Sequence, residues 1–122
     1  MENEGREICV LAVDDDERSR SLLTLVLSDE RCRVLTASNG VEAMELLRAE
    51  PVDFLITDYD MPQMNGLELI RHVKSCFSHV AVVLITGHED PSVAAAARSS
   101  GVRRVFLKPF PIEELLAVVK AI

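Results

Sequence analysis

The sequence predicts an α/β fold, an open parallel sheet covered by helices on both faces. Two observations carry this. Short apolar runs alternate with amphipathic stretches from one end of the chain to the other, and the helix starts between them are marked by capping residues. A strand buried on both faces reads as a continuous apolar run, whereas a covering helix shows one apolar face at its own period.

In chain order, the first strand is Ile8 to Val13, and "RSLLTLVL" then sets Leu22, Leu23, Val26 and Leu27 on one helical face. Arg33 to Ala37 is the second strand, followed by "VEAMELL" with Val41, Met44 and Leu47 on one face. Asn39 with Glu42 has capping-box spacing, as does Asn65 with Glu68 ahead of the third helix. The third strand is Asp53 to Thr57 and the fourth Val80 to Ile85. Asp90-Pro91 pairs an N-cap carboxylate with a proline at the first helical position, and Pro111 opens the last helix likewise. The fourth helix, "SVAAAARSS", is rich in alanine and buries little area per turn. It is expected to be the least firmly packed and a candidate for motion. The fifth strand is Arg103 to Leu107. With right-handed crossovers, ligands of such a sheet sit at the carboxyl ends of its strands.

With no linker, repeat or low-complexity segment, residues 1–122 are expected to form a single domain. A formal net charge of -7 argues against nucleic acid or an anionic membrane as a direct partner, because the chain's own field repels phosphates. A cation or a protein suits it better. Cys9, Cys32 and Cys76 are an odd number without a CxxC pair, so neither a disulfide framework nor a zinc knuckle is indicated. No apolar run approaches the ~20 residues of a membrane span, and "MENEGRE" lacks the features of a leader. A cytoplasmic location is expected.

The residues after each strand bring distant chemistry to one rim. Asp14-Asp15-Asp16-Glu17 follow the first strand, Asp58 the third, Thr86-Gly87 the fourth and Lys108-Pro109 the fifth. Singly, each has a plain explanation: an acidic run complements a helix dipole, and a lysine ends a strand in solvent. Jointly, carboxylates suit a hard divalent cation, Mg2+ or Mn2+, and a lysine and a hydroxyl suit an anion beside it. That combination handles phosphoryl groups.

"VDDD", "TDYDMPQMNGLEL", "LITG" and "FLKPF", in that order over essentially the whole length, resemble the receiver domain of two-component response regulators. The resemblance implies a flavodoxin-like (βα)5 fold in three layers with strand order 2-1-3-4-5. It implies a phosphorylation-dependent switch in which Asp58 accepts a phosphoryl group from a phosphohistidine, forming 4-aspartylphosphate. Asp15 and Asp58 match direct magnesium ligands, Asp14 a ligand through water, and Asp60 a ligand through its backbone carbonyl. Thr86, followed by Gly87, resembles the switch hydroxyl, Lys108 the ammonium that pairs with the phosphoryl oxygens, and Pro109 the family's cis proline. Such a domain is not an enzyme beyond its own phosphorylation and dephosphorylation. Implied partners are a histidine kinase or phosphotransfer protein and an output domain or downstream protein. The chain either works alone or is excised from a longer regulator.

Two other readings compete. A haloacid-dehalogenase-type phosphatase would use Asp58 as nucleophile and Asp60 as acid, but it needs further motifs beyond them. A receiver-shaped interaction module that is never phosphorylated usually lacks an acid or the lysine, and all are present here. His72, His79 and His88 share no ligand spacing, although His88, with Asp60, is placed to influence hydrolysis of an acyl phosphate. In the last helix Val118, Ala121 and Ile122 add apolar surface beside Leu115, Leu116 and Val119, which predicts a contact to a twin subunit, as in a homodimer, or to a further domain. One departure from the family stands out: Val105 occupies the position of its usual Tyr or Phe. Phe106 is expected to face the opposite side of the strand.

Overall fold

Strand side chains alternate between faces, and here the alternation divides the core in two. The computed structural model describes residues 7–28, 32–87 and 91–121. The strands are β1 (Ile8–Val13), β2 (Cys32–Ala37), β3 (Phe54–Asp58), β4 (Ala81–Thr86) and β5 (Arg104–Leu107). Between and after them run α1 (Glu17–Ser28), α2 (Gly40–Ala49), α3 (Gly66–Cys76), α4 (Pro91–Ser99) and α5 (Ile112–Lys120). Val10, Ala12, Phe54, Ile56, Val83, Ile85 and Phe106 pack with Leu23 and Leu27 of α1 and Leu115 and Val119 of α5. Leu11, Val13, Leu55, Val82 and Leu84 pack on the other face with α2, α3 and α4. Three layers result, with β1, β3 and β4 buried on both sides while the edge strands β2 and β5 keep exposed residues.

All pairs are parallel, in the order β2-β1-β3-β4-β5. The chain therefore reverses its direction of travel across the sheet between β1 and β3. At such a switch point the connections diverge and leave a crevice at the carboxyl ends. Among the described residues, no helix is long and apolar enough to cross a membrane.

Local chemistry accounts for most element ends. Asn65 forms a full capping box with Glu68: its side chain accepts from the Glu68 N–H at 3.0 Å while Glu68 Oε1 accepts from the Asn65 N–H at 2.9 Å. Asn39 caps only in one direction, because Glu42 turns instead to the backbone N–H and hydroxyl of Ser38. Pro111 takes the N-cap position of α5 rather than its first turn. Pro91 is the first residue of α4, and its proposed cap, Asp90, lies outside the described residues.

Six strand boundaries shift by one residue, with a common cause at two of them. Asp58 and Thr86 are the last residues of β3 and β4, not the first of their loops. Main-chain bonds carry the ladder past the apolar run: Tyr59 N–H to Ile85 O at 3.1 Å, and Lys108 N–H to Thr86 O at 2.9 Å. The helical faces are also narrower than their apolar residues suggest. Leu22 is 42% and Val41 51% exposed, so α1 buries only Leu23 and Leu27, and α2 relies on Ala43, Met44 and Leu47. α4 buries just Val93 and Ala97. In α5, Val118 and Leu116 lie partly against the α1 side of the core while Ala121 is exposed and Ile122 is outside the described residues.

Candidate functional site

The carboxyl edge of β1 and β3 holds two carboxylates that solvent barely reaches. Asp14 is 3% and Asp58 5% exposed. Each is held by backbone that the sheet has already ordered. Asp14 N–H continues the β1 ladder to Ala37 O at 3.1 Å. Its carbonyl accepts a 2.7 Å bond from Arg20 Nη1 on α1, and its Oδ1 accepts from Asp16 N–H at 2.9 Å. The remaining oxygen, Oδ2, lies 3.2 Å from Lys108 Nζ, and the same ammonium lies 3.2 Å from Asp58 Oδ1. Lys108 comes from the residue after β5, across a Lys108–Pro109 peptide that is cis.

Asp15 is exposed, yet it completes a cluster. Asp14, Asp15 and Asp58 each offer a carboxylate oxygen, and the three oxygens lie within 4.8 Å of one another. One ammonium faces three carboxylates, so the pocket carries surplus negative charge. Its effect is visible on Asp58, whose pKa is pushed from 3.8 up to about 6, first by burial and next by the charge of Asp14. Lys108 and the N–H of Tyr59 oppose this rise without cancelling it. Burial works against the Lys108 ammonium too, but Asp58 and then Asp14 outweigh it and hold its pKa above the ordinary lysine value. An all-oxygen donor set of this charge fits a hard divalent cation.

The other expected residues take distinct places. Thr86 is buried at the end of β4 and pairs in register with Leu107, one step beyond the Asp58–Ile85 pair. Gly87 is exposed, and a Cβ there would meet nothing within 4 Å, so packing does not require glycine. The side chain of Asp60 is exposed in the loop after β3 and stands outside the cluster of carboxylate oxygens. Val105 packs toward α3 and α4 while Phe106, 3% exposed, packs toward α1 and α5. The alternation expected for these two holds. Leu84 pairs with Val105 and Thr86 with Leu107, so Val105 shares its face with Thr86. His88 lies outside the described residues, and His72 and His79 are exposed and are not members of the carboxylate cluster.

Two residues have roles that the motifs did not assign. Gly66 opens α3 with its N–H bonded to Tyr59 O at 2.8 Å. A Cβ at this position would overlap the carbonyl oxygen of Asp58 and stand 2.9 Å from Tyr59 Cα, so glycine is what lets α3 close against the end of β3. Arg20 is the other, a cation that grips the main chain of Asp14 from the next helix. The Asn-Gly step was a signal for the first; nothing local marks the second.

Residues 10–120 match the family model of the response regulator receiver domain. The response regulator MprA of Mycobacterium leprae (strain TN) is 35% identical over 113 residues, covering 93% of this chain and 50% of that protein. The chain thus spans about half the length of the MprA relatives it matches. A response regulator receiver protein from Pseudomonas putida has a similar fold, with a TM-score of 0.92 and 28% identity, covering 97% of this chain and 99% of that one. The Vibrio cholerae chemotaxis protein CheY4 is similar as well, with a TM-score of 0.86, 29% identity, and coverage of 94% and 98%.

Proposed function

The chain belongs to the response regulator receiver family, whose members are phosphorylation-dependent switches of two-component systems, and on that premise we propose that Asp58 is its phosphoacceptor. One observation carries the assignment. Asp14 and Asp58 are both buried with Lys108 at 3.2 Å, but of the clustered acids Asp58 alone lies within a strand, as the last residue of the central β3. A carboxylate so mounted cannot drift, and the ammonium beside it neutralises charge that develops on a phosphoryl group.

In the transfer, an Asp58 oxygen attacks phosphorus, the phosphorus–nitrogen bond to the donor imidazole breaks, and its electron pair leaves with the imidazole. The donor is a histidine kinase or a phosphotransfer protein. A small acyl phosphate serves more slowly, since the attack asks little of the protein beyond positioning and charge. Mg2+, or Mn2+, would be held by Asp14, Asp15, Asp58 and the carbonyl of Asp60, and supplies charge neutralisation when bound. Lys108 exchanges part of its pairing with Asp58 for the new phosphoryl oxygens. Thr86 supplies a hydroxyl from the adjacent strand end. The domain catalyses its own phosphorylation and dephosphorylation and no further turnover.

Val105 sets the form of the switch. Valine has one restricted χ1 and little reach, so no large ring can swing on the face it shares with Thr86. Activation then runs through Thr86, the loop after it and α4, which is anchored by Val93 and Ala97 alone among its described side chains. Structures with and without a phosphoryl mimic test this: residues 87–100 should move while Phe106 stays buried. A fixed 87–100 with Phe106 changing its exposure would reinstate an aromatic switch. The reader of that movement is an output domain in a longer regulator, a separate protein, or a second copy, acting in the cytoplasm.

The acceptor assignment is tested by intact-mass spectrometry after incubation with Mg2+ and a phosphohistidine donor. A single phosphate adduct is expected in the parent protein and none in Asp58→Asn. An adduct that survives the substitution sinks the assignment.

A further inference from the structure

A cavity of about 270 Å³ opens beside Asp14 and Lys108. One wall is α1, through Ser19, Leu22 and Leu23, and the other is the segment joining β5 to α5, through Pro109, Phe110 and Ile112. Asp14 and Lys108 close its polar end. That same Lys108 stands 3.2 Å from Asp58 Oδ1, so the cavity and the nucleophile share a side chain. Away from this end the lining is aliphatic and aromatic apart from Ser19. Leu22 and Ile112, both at its rim, are each 42% exposed. By contrast, the larger groove of about 540 Å³ between α1 and β2 is lined by Glu17, Arg20 and Thr36 among others and contains neither Asp14 nor Lys108.

An apolar recess whose charged end is also the phosphoryl-binding ammonium matches one kind of small molecule: an anion at its head, hydrocarbon behind. We propose that the cavity receives the acyl chain of an acyl phosphate, so that the protein takes its phosphoryl group faster from short-chain acyl phosphates than from acetyl phosphate. The inference rests on Asp58 as acceptor. The step balances without a further reactant. An ionised Asp58 oxygen forms the new bond to phosphorus, the bond from phosphorus to the bridging acyl oxygen breaks, and the electron pair departs with a carboxylate that needs no proton at neutral pH.

Chain length is a clean variable, because the departing carboxylates differ little in basicity and the intrinsic reactivity of the series is nearly constant. What changes is hydrocarbon removed from water. Full burial of one methylene is worth about fourfold in binding, and a recess with exposed rim residues buries roughly half of that, or about twofold each. At donor concentrations below saturation this enters the second-order rate constant directly.

The experiment measures initial rates of phosphate-adduct formation by intact-mass spectrometry with acetyl, propionyl, butyryl and hexanoyl phosphate at equal, sub-saturating concentration and fixed Mg2+. Butyryl phosphate should react about fourfold faster than acetyl phosphate, corrected for their hydrolysis rates in buffer. Leu22→Ala and Ile112→Ala should flatten the series while leaving the acetyl phosphate rate unchanged. Leu22→Trp, which fills the recess, should slow butyryl and hexanoyl phosphate selectively. A flat series in the parent protein, or a graded one that survives all three substitutions, overturns the proposal. Absence of an adduct from every donor, acetyl phosphate included, overturns the Asp58 reading instead.

Discussion

Asn in place of Asp58 should make the metal-free protein more stable at neutral pH, although it removes the proposed phosphoacceptor. The carboxyl has its pKa raised from 3.8 to about 6 in the folded chain. A raised acid pKa means that the folded state binds the proton more tightly than the unfolded one between these two values. As pH climbs through that window the unfolded chain ionises first, and stability falls. Below about pH 4 both states are protonated and the group is neutral in the balance. Above about pH 6 the full difference applies: a shift of about two units at ~1.36 kcal/mol each comes to roughly 3 kcal/mol. Asn keeps the shape and never ionises, so Asp58→Asn should exceed the parent by about 2 to 3 kcal/mol at pH 7.5 in excess chelator. The assay is urea unfolding followed by far-ultraviolet circular dichroism at several pH values. With slopes of about 1–3 kcal/mol per molar urea, the midpoint should move up by roughly 1–2 M at pH 7.5. The gap should close toward pH 4. A gap that does not depend on pH, or a variant no more stable than the parent, would refute the view that crowded negative charge destabilises this edge. Added Mg2+ should narrow the gap from the other side, by stabilising the parent through mass action.

Three further outcomes follow from the same contacts. Lys108→Ala should bind Mg2+ at least as tightly as the parent, because its ammonium competes for Asp14 and Asp58, while its phosphorylation slows; Asp15→Ala should lose binding at millimolar Mg2+, both read by calorimetry. Mg2+ affinity should fall roughly tenfold per pH unit as pH drops below about 6, since the cation must displace the proton that Asp58 gains there; an affinity unchanged down to pH 5 would count against Asp58 as a ligand. Gly66→Ala should cost about 1–3 kcal/mol in chemical unfolding, through overlap with the Asp58 carbonyl, and should slow adduct formation as well.

Periodicity is a local property, and the sequence alone could carry whatever depends on it. The alternation of strands and helices, the opposed faces of Val105 and Phe106, the capping box at Asn65 and the arrival of Asp14, Asp58, Thr86 and Lys108 at strand ends all follow from residues a few positions apart. Motif order added the family and, through it, the strand order. Tertiary structure decided whatever depends on distance through space. Hydrogen bonds from neighbouring strands extended β3 and β4 to include Asp58 and Thr86. Leu22 and Val41 fell outside the buried stripes, at 42% and 51% exposure. Lys108 meets Asp14 from 94 positions away, Arg20 holds the Asp14 carbonyl, and Gly66 is required by a backbone that passes it from β3. The raised pKa of Asp58 belongs to this second group. Desolvation and Coulomb interaction are set by how many atoms surround a charge and how near the next one lies, and neither quantity exists until the chain has packed.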